Sequence, residues 1–205
     1  MTAHHAPASG LLQLLPDISG EDTPPLPVGV ASGRTCCGCT TRPQRLWKGR
    51  PEDAVLCTLC WLTLNLDSPT AAHGHLAWLP DAPAADIINL ERRALIGLRS
   101  ESKSLRKESR RVWNWLFRHT REVEKMWKTS RAGEFAAAMR QLPPDRRTVM
   151  QQRLEGCVLI LPPDMLDDLT LLLPLGRTAE NAVSTPAWTT YIRSDLYAKP
   201  LHQLD

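Results

Sequence analysis

Four cysteines carry the clearest chemistry in this chain: Cys36-Cys37-Gly38-Cys39 and, seventeen residues further on, Cys57-Thr58-Leu59-Cys60. A C-x2-C turn sets two sulfurs about one metal diameter apart, and two such turns deliver four thiolates to the corners of a tetrahedron, the geometry that zinc takes with sulfur. The spacing predicts one structural Zn2+ held in a closed site by Cys36, Cys39, Cys57 and Cys60, with local folding dependent on the metal. Cys37 competes for the first position, but pairing it with Cys39 leaves one intervening residue and a poorer bite. Gly38 is expected to relieve the backbone at the first turn. Paired thiols without a secretory leader point to a reducing compartment.

Other reactive groups read more plainly. His4 and His5 fall in a polar N-terminal stretch, and His73 and His75 lack a matching carboxylate motif, so both pairs read as ordinary surface or strand-edge histidines. A nuclease would need a general-base His near the knuckles and a second metal site, and no His lies between Cys39 and Cys57. Asp164, Asp167 and Asp168 follow Pro162-Pro163, where helix capping explains them. Cys157, beside Val158-Leu159-Ile160-Leu161, reads as a small buried hydrophobe. No Gly-rich phosphate loop and no nucleophile beside a base is evident, which argues against an enzyme.

The positioning elements follow from composition and period. Residues 1–34 are rich in Pro, Gly, Ala and Ser and read as a flexible arm, with Leu11 to Leu15 as one docking segment. Residues 35–68 form the four-cysteine unit, 69–175 a helical domain, and 176–205 an extended tail. The fold class expected is mainly α with a small β component. Strands are expected at His75 to Leu79 and Val158 to Leu161. A helix from about Pro83 buries Ile87, Ile88, Leu90, Leu95, Ile96 and Leu98, with Arg92 and Arg93 on its other side. A Ser-rich basic stretch, Arg99 to Arg111, reads as an exposed helical extension or a linker, and an amphipathic helix from about Val112 to Lys128 follows it. Shorter helices are expected over 132–142 and 144–155, split by Pro143-Pro144, and a last one after Pro163.

At 205 residues and 42% hydrophobic, the chain can bury one sizeable core. Its net charge is only +3, yet Glu91 to Arg131 holds thirteen Lys/Arg against five Glu. That imbalance makes Arg92–Arg131 a candidate nucleic-acid interface, and it would equally suit anionic lipid or an acidic protein. No apolar run approaches the roughly twenty residues of a membrane span. The chain is expected in the cytoplasm, at the inner face of a membrane only through partners. Trp61, Trp115 and Trp188 are candidate protein-contact residues, because exposed Trp is a frequent interface anchor.

Two resemblances follow. Leu46 and Trp47 stand seven and eight positions after Cys39, and Leu56 precedes the third ligand, as in GATA-type zinc fingers, which this segment resembles over about 30 residues. That resemblance implies a treble-clef framework and a DNA-binding regulator. Against it, Lys48 is followed by Gly49 where that family has a second Arg, and Trp61-Leu62-Thr63-Leu64-Asn65-Leu66-Asp67 offers a groove few polar groups. Over residues 35 to 175, the four cysteines, Gly74-His75-Leu76-Ala77-Trp78-Leu79-Pro80 and Leu142-Pro143-Pro144-Asp145-Arg146-Arg147 resemble the IcmJ/DotN family of type IVB secretion and related conjugation systems. This resemblance implies a zinc-containing adaptor that binds the coupling ATPase and other subunits and helps deliver substrates.

Overall fold

The computed structural model describes residues 12–51 and 53–183, so the N-terminal histidines and Trp188 lie outside the described residues. Three very short strands open the chain: β1 (Gly29–Val30), β2 (Leu46–Lys48) and β3 (Val55–Leu56), antiparallel with β2 in the middle and Trp47 opposite Leu56. α1 (Thr58–Thr63) follows at once, with Cys57 as its extended N-cap. Six residues are too few for a helix to persist alone. α1 holds because every one of its residues is buried. Trp61 Nε1 donates to the Lys48 carbonyl, Trp47 Nε1 to Thr58 Oγ1, and Thr58 Oγ1 to the Leu171 carbonyl.

The described part of the expected flexible arm is docked against this unit. Leu14 and Ile18 are buried, Leu12 N–H donates to the Cys37 carbonyl, and the Asp17 backbone exchanges hydrogen bonds with Thr63 and Leu66. Arg50 donates to the carbonyls of Ser19 and Ile18 at 2.6 and 2.8 Å. Buried Asp67 then ties arm to body: it accepts from Ser19 N–H and Ser19 Oγ, and from Arg140 Nη2 at 3.1 Å. Burial works against the Asp67 charge, but those bonds outweigh it and hold its carboxyl below the usual range.

Further on, β4 (His75–Trp78) pairs antiparallel with β5 (Cys157–Ile160), Leu76 opposite Leu159. The outer edge of β4 is covered by Ser130 and Ala132, through Leu76 N–H to Ser130 and Ala132 N–H to Gly74. Across this ribbon lies α2 (Ala84–Leu98), which touches α1, β5, α3 (Lys103–Arg118) and the terminal α7 (Ala179–Val183). Gly97 lets α2 and α3 close on each other, since a Cβ there would run into Ser109. α4 (Thr120–Trp127), α5 (Ala132–Gln141) and α6 (Pro144–Arg153) complete the set. The architecture is mixed, with helix outweighing strand. One packed cluster contains the four cysteines, Leu14, Leu56 and Leu62 together with Ile88, Ile96, Phe135 and Leu159, so metal unit and helices share a core.

Several expectations are corrected. Of the two readings of the Ser-rich segment, the helical extension is the one found over Lys103 to Arg111, because Ser102 caps it by accepting Leu105 N–H and the Lys, Arg and Glu that follow favour helix. The single helix expected over 112–128 is two, broken at His119, whose carbonyl accepts Trp78 N–H from β4. Met126, which the amphipathic pattern of that helix turns toward the core with Val123 and Trp127, is exposed. The α-helix expected to start at Pro163 does not form; Asp168 instead caps one 3-10 turn, Leu169–Leu171, by accepting Thr170 N–H. The chain around Pro174 runs antiparallel to 42–44 through Gln44 N–H to Leu173 and Leu175 N–H to Arg42, and the start of the expected extended tail then forms α7 with Val183 buried.

Candidate metal centre

The turn at Cys36–Cys39, between β1 and β2, faces the N-terminus of α1, where Cys57 sits at the cap and Cys60 in the first turn. The Sγ atoms of Cys36, Cys39, Cys57 and Cys60 all lie within 4.8 Å of one another, with Cys39 and Cys57 3.6 Å apart. A tetrahedron with metal–sulfur bonds of about 2.3 Å has edges of about 3.8 Å, so the quartet is set for one ion. None of the four is more than 1% exposed, and all are free of disulfides. Cys37 stands outside the quartet and is only partly buried.

The knuckle itself departs from expectation. The left-handed residue is Thr40 (φ 59), where Thr40 N–H returns to the Cys36 carbonyl. A β-branched residue rarely adopts that conformation. Gly38 serves by its size, since a Cβ there would meet the Leu14 side chain at 2.8 Å and Cys60 Sγ at 3.1 Å.

Arg92 supplies what the sequence reading placed elsewhere. Assigned to the solvent side of α2 and to the basic segment, it is 3% exposed and points into the sulfur cluster. Its Nη2 donates to Cys57 Sγ at 2.9 Å and to Cys39 Sγ at 3.2 Å. Its Nη1 donates to Thr41 Oγ1 at 2.9 Å and to Asn89 Oδ1. Asn89 Nδ2 in turn donates to the Cys39 carbonyl, and Cys36 Sγ accepts the Cys57 N–H at 3.2 Å. One turn of α2 thus grips both the sulfurs and the backbone of the first knuckle. A signal was present in the sequence: Arg92 lies four after Ile88 and three before Leu95, on the apolar stripe.

The electrostatics agree with a cation site. Hydrogen bonds from the other three thiols draw Cys39 far down, with the Arg92 charge adding to the effect, while burial pushes Cys57 up. At Cys36 the bond to Cys39 works to raise the thiol, but bonds with Cys57 and Cys60 outweigh it and lower it to about 7. Burial disfavours the Arg92 charge, yet the pull of Cys57, Cys39 and Cys60 overrides it and raises the guanidinium above its ordinary value. Four buried sulfurs cannot all ionise without compensating cations. Arg92 supplies one positive charge, and a divalent ion would leave the site with a single residual negative charge.

Comparison with protein-family models, with curated proteins and with solved structures returned no match.

The remaining predicted site residues fare differently. Trp61 is a core residue, 5% exposed and hydrogen-bonded, and not the exposed ring that was expected. Trp115 is half-buried, its ring edge-on to His119 with centroids 4.8 Å apart. His73 is exposed, and His75 Nδ1 pairs with Ser130 Oγ at 3.0 Å, far in sequence from the cysteines. Among the described residues no helix is long and apolar enough to cross a membrane.

Proposed function

We propose that the cysteine quartet binds one structural Zn2+ and that the chain acts by binding proteins rather than by catalysis. The observation that carries this is closure: four sulfurs at most 1% exposed, two of them capped by Arg92, leave no open position for substrate or water. Catalytic zinc keeps such a position; structural zinc does not. The order of knuckle, β2–β3 hairpin and ligand-bearing helix supports a treble-clef, GATA-like framework.

The resemblance to IcmJ/DotN proteins supports the more specific reading, a cytoplasmic adaptor of a secretion or conjugation coupling complex that binds its ATPase. With α1 and Trp61 inside the core, the most exposed apolar side chains among the described residues, which such a partner could cover, lie beside the edge strand β1. Leu26 is 80% and Val28 55% exposed there. Groove reading by α1 is not part of the proposal, because every residue of that helix is buried.

Two measurements test the proposal. Elemental analysis of the purified chain should find one zinc per molecule, lost together with folding on chelation. Affinity capture from cells carrying the transfer apparatus should recover a coupling ATPase, and Leu26→Glu should abolish that capture while zinc content stays the same. A chain without stoichiometric metal would overturn the zinc reading, and recovery of nucleic acid alone would overturn the adaptor reading.

A further inference from the structure

We propose that the exposed cationic face of α3 and α4, together with the cavity at their corner, binds the phosphate backbone of double-stranded nucleic acid. On α3, Lys103, Lys107, Arg110, Arg111 and Arg118 are all exposed. At 100° per residue they fall within an arc of about 100°, away from buried Val112 and Leu116. A sixteen-residue helix is about 24 Å long, which spans about seven base pairs of duplex.

Past the break at His119 the charge continues into a concavity. Arg118, Arg121, Lys128 and Arg131 line a cavity of about 440 Å3, with His75 and Ser130 also in its wall. Glu124 and Glu134 line it too, yet none of the four cations forms an ion pair among the described residues, and the cavity stays net positive. Cations gathered in a concave, partly desolvated wall focus their field on an anion more strongly than the same charges on a flat surface. Burial first, and then Arg131, hold the His75 pKa below its ordinary value, so His75 contributes a neutral hydrogen-bonding ring.

The aromatic residues decide the form of nucleic acid. Binding of unpaired bases uses free rings as stacking platforms. Here Trp113 is stacked on Phe117, centroids 4.9 Å apart, with its Nε1 donating to the Leu161 carbonyl, and Trp115 is set against His119. The cations remain available and the rings do not, which fits a backbone contact indifferent to sequence. An anionic membrane is disfavoured because Met126 is the sole large apolar side chain exposed on these two helices, too little for an inserted face.

The test is fluorescence anisotropy of the full-length, metal-loaded chain with a labelled duplex across a salt series. Binding should weaken linearly on a log–log plot. The combined variant Arg118→Ala, Arg121→Ala, Lys128→Ala, Arg131→Ala should lower the slope by about 3 to 4, at about 0.9 per lost phosphate contact. Its metal content and melting temperature should remain those of the parent, and Arg153→Ala, exposed on α6, should bind as the parent does. Absence of salt-dependent duplex binding, an unchanged slope in the combined variant, tighter binding to the single strand, or binding only to phosphatidylcholine–phosphatidylglycerol vesicles would overturn the proposal.

Discussion

Replacing Arg92 by Met keeps an unbranched apolar stem and removes the guanidinium with its charge, and so tests what that group does for the sulfur cluster. Two N–H···S bonds are lost, 2.9 Å to Cys57 and 3.2 Å to Cys39, as well as the bonds to Thr41 and Asn89 that hold the first knuckle. Hydrogen bonds to charged groups contribute about 1.5–3 kcal/mol each, so the two sulfur contacts together supply about 3–6 kcal/mol. Against this stands the desolvation of a guanidinium that is 3% exposed, which costs several kcal/mol and disappears in the Met variant. The net expectation is a zinc affinity lowered about 10- to 100-fold, the range typical of groups that orient metal ligands, equivalent to about 1.4–2.8 kcal/mol. Competition against a chromophoric chelator at fixed pH measures it directly. Arg92→Lys should fall between the two, because one ammonium cannot hold both sulfurs and the knuckle at once. An Arg92→Met chain that folds and holds zinc as tightly as the parent would refute the argument and place the charge balance elsewhere.

Further outcomes follow from other residues. Cys36→Ser should lose stoichiometric metal while Cys37→Ser keeps it, by elemental analysis; equal loss in both would reassign the first ligand. Burial raises the carboxyl of Glu91, which accepts Leu161 N–H at 2.7 Å, from 4.5 to about 8. The folded state then holds a proton that the unfolded state has lost. Its contribution is fully present below pH 4.5 and is lost as pH rises through about 8, up to about 5 kcal/mol. The urea stability of the parent minus that of Glu91→Gln should fall across this window, and a difference independent of pH would sink the assignment. Gly97→Ala should destabilise by about 1–3 kcal/mol through collision with Ser109, whereas an unchanged melting temperature would mean that the α2–α3 contact yields freely.

The four-cysteine cluster was legible because knuckle spacing is a local property: Cys36 to Cys39 and Cys57 to Cys60 each span one turn whatever surrounds them. Arg92 was not, because the rule that places charge in water overrode its position between Ile88 and Leu95 on the apolar stripe. The same ambiguity hid what covers the helix after the second knuckle, whose apolar residues could equally have been buried by a partner or by this chain; Trp61 proved to belong to the core. Strands β4 and β5 and helices α5 and α6 were marked by apolar runs, by Pro143-Pro144 and by Gly156. The helix expected after Pro163 failed because the Asp168 side chain closes its bond locally on Thr170 N–H, a contact that no periodicity encodes.

The grip of α2 on the first knuckle means that the cysteine segment is not a portable module. A peptide spanning only the cysteines would carry every thiol and none of the shielding from Leu14, Asn89 or Arg92, so its affinity would understate that of the parent, and grafting it onto another scaffold would expose the sulfurs to oxidation. Synthesis meets the same order: the cysteines leave the ribosome well before Arg92, so the finished centre is sealed only once α2 has emerged and closed over it.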